Sequence, residues 1–124
     1  MVDDDPAITQ IYDEVLRGSG YDVLTAGNCA EAMARMDSVN GDMQVLVVDL
    51  GLPDGDGSEF VRDAFKKYGE RPTMYVSGWT DEFWQLHEAP GRWVIIRKPV
   101  PVKKLLAAVK WLAMGGDRPP ELSD

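Results

Sequence analysis

The sequence predicts an α/β domain with a doubly wound parallel sheet, and three observations support this. Short apolar runs alternate about five times with helical patterns of ten or more residues, which is typical of βαβ units. One run, Val45–Val48, is apolar at every position, as in a strand buried on both faces. The length of 124 residues suits a single domain. We therefore expect one parallel sheet with helices on both faces.

Capping residues and helix breakers define the elements of the first half. Asp5 is a suitable N-cap for a helix with Pro6 in its first position, and Asn28 is a suitable N-cap for a second helix. Gly18 and Gly20 end the first helix. The predicted elements are a short strand at Met1–Val2, a helix from 6 to about 18, a strand over 21–26, a helix from 28 to about 37 and a strand over 45–48.

The second half continues the alternation after a loop rich in Gly, Pro and Asp over 50–57. A helix begins at Gly57 or Ser58, and its apolar stripe reaches Tyr68. A weaker helix over 81–89 ends at Pro90-Gly91. The remaining predicted elements are strands over 73–76 and 93–96 and a strong final helix over 102–114. We predict that residues 1–114 form the domain and that 115–124 are a flexible tail or linker.

Bulk composition excludes several function classes. The net charge of -8 and the pI of about 4.5 argue against binding to nucleic acid or to an anionic membrane surface. The single cysteine, Cys29, cannot form an intramolecular disulfide, and no apolar run is long enough to span a membrane. There is also no signal peptide pattern, so we expect a cytoplasmic protein.

Polar residues follow the predicted strands at the edge of the sheet where ligands bind in parallel α/β folds. Asp49 ends the buried strand, and Asp3 and Asp4 follow the first strand. Such neighbouring carboxylates take up protons or bind a cation, and oxygen ligands without His or Cys favour Mg²⁺. A hydroxyl and an ammonium at the other strand ends, Ser77 and Lys98, could hold phosphoryl oxygens. This edge predicts Mg²⁺-assisted phosphoryl chemistry at Asp49.

At these residues the chain resembles the receiver domain of two-component response regulators, either stand-alone or within a hybrid kinase. The resemblance extends over about residues 1–114. It depends on four motifs found in order, which are Val2-Asp3-Asp4-Asp5-Pro6, Val47-Val48-Asp49-Leu50 with Leu52-Pro53-Asp54 and Asp56-Gly57, Val76-Ser77-Gly78, and Lys98-Pro99. Each motif is weak alone, but together they are specific.

The resemblance implies a flavodoxin-like sheet of five parallel strands in the order 2-1-3-4-5, counted along the chain. It implies that Asp49 accepts phosphate from a histidine kinase or a histidine phosphotransfer protein, with Mg²⁺ as cofactor. It also implies a cis peptide bond at Lys98-Pro99. The implied metal ligands are Asp3, Asp4, Asp49 and the carbonyl of Gly51, with Asp4 the more direct of the acidic pair. Ser77 is the implied switch hydroxyl and Lys98 the phosphate-contacting base.

Three features depart from the family pattern. Only Met1 and Val2 precede the acidic residues, so the first strand is expected to be truncated. Ile95 stands where the family has an aromatic switch residue. Gly51 and Trp79 occupy the variable positions that flank the phosphoryl site. Trp84 is a candidate contact for a downstream protein on the face formed by residues 79–111.

The sequence leaves two other functions open. The short first strand and Ile95 favour a degenerate receiver that regulates by protein contact without phosphorylation. A small phosphohydrolase with Asp49 as nucleophile needs an acid-base residue nearby, and Gly51 offers no side chain for that role. We expect a phosphoacceptor rather than an enzyme.

Overall fold

The predicted α/β class is confirmed. The computed structural model describes residues 1–78, 86 and 89–122 of the chain. In these residues the helices are α1 (Pro6–Gly18), α2 (Cys29–Ser38), α3 (Gly57–Tyr68) and α4 (Val102–Met114). The strands are β1 (Leu46–Asp49), β2 (Gly51–Leu52), β3 (Gly55–Asp56), β4 (Thr73–Ser77) and β5 (Trp93–Arg97). The helix predicted over 81–89 falls mainly on residues outside this set.

The predicted helix starts are confirmed by their caps. The Asp5 carboxylate accepts hydrogen bonds from the backbone N–H groups of Ala7 and Ile8, at 3.0 and 3.3 Å. The Asn28 side chain accepts one from the N–H of Glu31 at 2.8 Å. These bonds satisfy donors that have no partner within the first turn of a helix. Both helices therefore begin where the sequence places them, and α1 leaves the acidic segment directly.

The main sheet brings the predicted site residues to one edge. Strands β1, β4 and β5 pair in parallel in that order. Asp49 lies opposite Val76, and Val76 lies opposite Ile96. Ser77 and Lys98 follow those partners by one and two residues. All three chain segments therefore leave the sheet at the same edge, above their carboxyl ends.

The first two predicted strands are reduced to single bridging residues. Val2 forms parallel bridges to Ala26 on one side and to Val48 on the other. The neighbour order Ala26, Val2, β1, β4, β5 follows the implied order 2-1-3-4-5. The segment 21–26 has the apolar residues of a strand, but Met1 and Val2 offer it almost no partner. A strand needs a paired neighbour to satisfy its backbone, so only Ala26 is bridged.

An open gap separates the segments 20–24 and 42–47, just beyond the Val2 bridges. It forms a cavity of about 670 Å³, with Leu16 and Val109 among its lining on one face and Met36 and Phe60 on the other. The N-terminal α-amino group of Met1 lies at this gap and donates to the carbonyl of Leu24 at 2.7 Å. The carbonyl of Val47 accepts from the N–H of Val2 at 2.8 Å, so the N–H of Val47 faces the same side of β1 and points into the gap. The gap therefore has an apolar lining and backbone hydrogen-bonding groups that a strand placed between the two segments would contact.

Two apolar cores lie on the two faces of the sheet. One includes Phe60 and Val61 of α3, and the other includes Leu105 and Leu112 of α4. In the segment after α4, Pro120–Leu122 forms a 3₁₀ turn, and Leu122 is buried in the second core. The division of the chain at residues 114 and 115 stays a prediction. No helix in the described part of the chain is both long and apolar enough to cross a lipid bilayer.

Candidate functional site

Asp49 is held at the end of β1 by its backbone and by its side chain. Its N–H donates to the carbonyl of Val2 at 2.9 Å, and one carboxylate oxygen accepts from the N–H of Gly51 at 2.9 Å. The residue is only 3% exposed. A buried carboxylate needs such partners, because desolvation disfavours its charge. Asp49 thus presents a carboxylate that is fixed at the edge of the sheet.

The loop after Asp49 ends at Gly57, where the structure leaves no room for a side chain. A Cβ atom at this position would lie 2.3 Å from the carbonyl oxygen of Asp49 and 2.9 Å from a methyl group of Val48. These distances are far inside van der Waals contact. The first residue of α3 therefore packs directly against the backbone of Asp49, which only glycine permits.

Lys98 supplies the positive charge of the site. Its N–H donates to the carbonyl of Ser77 at 2.8 Å, and a cis peptide bond joins it to Pro99, as predicted. The ammonium lies 2.6 Å from a carboxylate oxygen of Asp49 and 3.5 Å from one of Asp3. Desolvation acts to lower the pKa of Lys98, but the hydrogen bond and the charges of both carboxylates outweigh it and raise the pKa. Lys98 is therefore a charged partner of both aspartates.

Asp3 and Asp4 differ in their surroundings. Asp3 is 3% exposed, and its carboxylate accepts from the N–H of Asp5 at 2.9 Å. Its pKa is raised, chiefly by desolvation and also by the charges of Asp49 and Asp4, against the hydrogen bond from Asp5 and the charge of Lys98. Asp4 is exposed to solvent. The acidic pair thus offers one buried and one open carboxylate.

The three carboxylates fit a hard divalent cation. One oxygen from each of Asp3, Asp4 and Asp49 can be chosen so that all lie within 4.8 Å of one another. The donors are oxygens alone, which is the set that Mg²⁺ prefers, and the open side at Asp4 leaves room for water ligands. Three negative charges against the one charge of Lys98 leave an excess that a cation would neutralise. The donor set therefore agrees with the predicted Mg²⁺ site.

Ser77 and Gly51 occupy positions beside this cluster. Ser77 is fully buried as the last residue of β4, and its carbonyl anchors Lys98. Gly51 is the first residue of β2, which forms a short antiparallel hairpin with β3, and it pairs with Asp56. The sequence predicts a loop here, and the pairing arises because Pro53 and Asp54 favour a tight turn. The switch role of Ser77 and the ligand role of the Gly51 carbonyl stay predictions.

Asp54 is a structural residue of the site that sequence reasoning missed. Its two carboxylate oxygens accept from the N–H groups of Cys29 and Ala30, at 2.8 and 3.1 Å. These bonds cap α2 and lower the pKa of Asp54. Desolvation and then Asp54 raise the pKa of the Cys29 thiol to about 12, which keeps it protonated. Only the preference of Asp for helix N-termini could have suggested this link.

The structure describes only part of the outer face of the predicted site, on and near β5. Ile95 is half-buried in β5 and packs against the core that contains Tyr75. Two residues earlier, Trp93 makes an edge-to-face contact with Tyr75, with ring centroids 5.9 Å apart. Trp79, Trp84 and most of the predicted helix over 81–89 lie outside the described residues.

Comparison with known families agrees with this geometry. The family model of the response regulator receiver domain matches residues 1–110. The chain belongs to this family. TrcR, a transcriptional regulatory protein of Mycobacterium tuberculosis, is 39% identical to the receiver over 77 residues, which are 62% of this chain and 29% of that protein. The sensor kinase CckA of Brucella abortus is 28% identical over 111 residues, which are 89% of this chain and 12% of that protein.

Solved structures show the same fold for this receiver. A CheY-like response regulator receiver domain protein from Methanospirillum hungatei JF-1 superimposes with a TM-score of 0.78 at 29% identity. The superposition covers 88% of this chain and 86% of that chain. This chain spans only 29% of the length of TrcR and 12% of the length of CckA, so the likeness covers a part of each protein.

Proposed function

We propose that this receiver accepts a phosphoryl group on Asp49 from the phosphohistidine of a histidine kinase or a histidine phosphotransfer protein. The observation that carries the proposal is the placement of Lys98, whose ammonium lies 2.6 Å from Asp49 and 3.5 Å from Asp3 in a cluster of three carboxylates. A nucleophilic carboxylate, a fixed cation and an oxygen-only metal site are the parts that phosphoryl transfer to an aspartate requires.

In the proposed reaction a carboxylate oxygen of Asp49 forms a bond to phosphorus. The phosphorus–nitrogen bond of the phosphohistidine breaks, and the imidazole keeps its electron pair. The backbone N–H of Gly51 holds the other carboxylate oxygen and so orients the nucleophile. Lys98 moves its hydrogen bond from Asp49 to a phosphoryl oxygen, where its charge offsets the developing negative charge. A bound Mg²⁺ would supply further charge neutralisation to these oxygens.

The protein then acts as a switch in a cytoplasmic two-component pathway and not as a turnover enzyme. The phosphoryl group favours one of two conformations through its contacts with Ser77 and Lys98. We propose that a downstream protein reads this change on the face formed by residues 79–111. The net charge of -8 supports a protein partner over nucleic acid.

A second candidate is a degenerate receiver that regulates by protein contact alone. Ile95, which stands where the family has an aromatic switch residue, favours it. A receiver of this kind keeps the fold but does not respond to phosphoryl chemistry.

Beryllofluoride, a stable mimic of a phosphoryl group on aspartate, distinguishes the two candidates. We expect that beryllofluoride together with Mg²⁺ shifts the backbone amide resonances of Gly51, Ser77 and Lys98. Without Mg²⁺ the same resonances should stay in place, and Asp49→Asn should abolish the shifts. A folded protein whose spectrum ignores beryllofluoride at millimolar Mg²⁺ would establish the degenerate receiver.

A further inference from the structure

A buried tyrosine connects helix α1 to the loop that carries Lys98. Tyr12 lies in the second turn of α1 and is 6% exposed. Its hydroxyl donates a hydrogen bond to the carbonyl of Val100 at 2.9 Å, across 88 residues of sequence. Val100 follows Lys98 by two residues, with Pro99 between them. The bond thus fixes the loop just after Lys98.

The same helix also holds the acidic segment. The chain runs from Asp3 through the N-cap Asp5 straight into α1. One turn into the helix, the hydroxyl of Thr9 donates to the carbonyl of Asp5 at 2.9 Å. One end of α1 therefore fixes the acidic residues, and Tyr12 fixes the loop of Lys98. The distance between the ammonium and the carboxylates depends on both attachments.

The ring and the hydroxyl of Tyr12 make different contacts. The ring of Tyr12 packs in the core that also contains Val100 and Leu105. A phenylalanine would keep that packing. It would remove only the hydrogen bond and leave the Val100 carbonyl without its donor, which is unfavourable in a buried place. The hydroxyl and the ring can therefore be separated by one substitution.

We infer that Tyr12 is a positioning residue, whose hydroxyl holds the Lys98 loop so that the ammonium reaches Asp49 and the incoming phosphoryl group. The inference builds on the proposed phosphoacceptor function. It assigns Tyr12 no contact with the phosphoryl group or with the metal. Its effect passes through Lys98 alone.

The test compares Tyr12→Phe with the wild type in two measurements at saturating Mg²⁺. These are the rate of phosphorylation by a small acyl phosphate and the affinity for beryllofluoride. We expect Tyr12→Phe to lower both by about three- to tenfold, while the affinity for Mg²⁺ alone stays within about twofold. Tyr21→Phe removes a phenol hydroxyl from a half-buried tyrosine that lines the gap beyond the Val2 bridges, and it serves as the control. It should match the wild type in both measurements.

A double-mutant cycle separates positioning from general loosening. In a Lys98→Ala background, Tyr12→Phe should cause no further loss of beryllofluoride affinity, because the residue it positions is gone. An equal loss with and without Lys98 would overturn the inference, as would a wild-type response from Tyr12→Phe. If the wild type itself takes neither phosphoryl nor beryllofluoride, the proposed function fails and the inference fails with it.

Discussion

A variant with four apolar residues joined in front of Met1, such as Val-Leu-Ile-Val, is expected to have a free energy of unfolding about 2–4 kcal/mol higher than that of the unextended chain. The added residues would enter the cavity of about 670 Å³ between segments 20–24 and 42–47. Val2 already bridges both neighbours in parallel, so an extension of its strand has its direction and register set.

Three contributions produce this gain. Each buried apolar side chain contributes about 2 kcal/mol, against about 1.5 kcal/mol for ordering each residue. New ladder bonds, including one from the N–H of Val47, add about 1 kcal/mol each. The extension also moves the chain end away from Met1. In the unextended protein, burial lowers the pKa of the Met1 α-amino group from 8.0 to about 6. Below about pH 8 the unfolded chain therefore binds this proton more readily than the folded protein, which lowers the free energy of unfolding, and the extension removes this effect.

Thermal and chemical unfolding measure the effect. The apolar extension should raise the melting temperature by roughly 10 °C, and hydrogen exchange should show new protection at Val47. A Ser-Gly-Ser-Gly extension of the same length is the matched control, because it moves the chain end in the same way; it should show only the gain from that move and no new protection at Val47. Equal stability of the two extended chains would show that the gap is not a strand position.

Asp3→Asn is expected to weaken Mg²⁺ binding by about 100-fold, which is about 2.7 kcal/mol. Asp3 supplies a buried oxygen to the cluster with Asp4 and Asp49. Two opposite unit charges 4 Å apart attract by about 4 kcal/mol at an effective dielectric of 20, and the cation carries two charges. Asparagine keeps an oxygen for the bond from the N–H of Asp5, so the local backbone should be preserved.

Asp5→Asn is the matched control for charge. Asparagine is as good an N-cap as aspartate, and Asp5 lies outside the cluster of three carboxylates. Titration calorimetry should give Asp5→Asn an affinity within a fewfold of the wild type. Addition of Mg²⁺ should raise the melting temperature of the wild type and of Asp5→Asn but not that of Asp3→Asn. Similar affinities for the two variants would place the cation elsewhere.

Local sequence signals predicted much of the fold. The final helix has the predicted bounds, Val102–Met114, and the caps at Asp5 and Asn28 bond as expected. Caps, breakers and helical spacing act within a few residues, so they are readable without the rest of the chain. The strand over 21–26 was overestimated because its stability depends on a partner strand, which here is limited to Met1–Val2.

The sequence predicted the charged residues of the site, but not the hydrogen bonds that hold the surrounding segments in place. Asp3, Asp49 and Lys98 meet because the carboxyl ends of parallel strands share an edge, a rule that applies to sequence directly. The bond from Tyr12 to Val100 joins residues far apart in the chain, as do the bonds from Asp54 to the start of α2. Such contacts follow from how helices dock on the sheet, which local patterns do not encode.

Phosphorylation of Asp49 is tested most directly by the intact mass of the protein after incubation with a small acyl phosphate and Mg²⁺. We expect a gain of one phosphoryl group, which is absent in Asp49→Asn and absent when Mg²⁺ is removed by a chelator. Fragmentation should place the group on Asp49. A folded protein that gains no phosphoryl group and also ignores beryllofluoride, or an adduct that persists in Asp49→Asn, would show that Asp49 is not the phosphoacceptor.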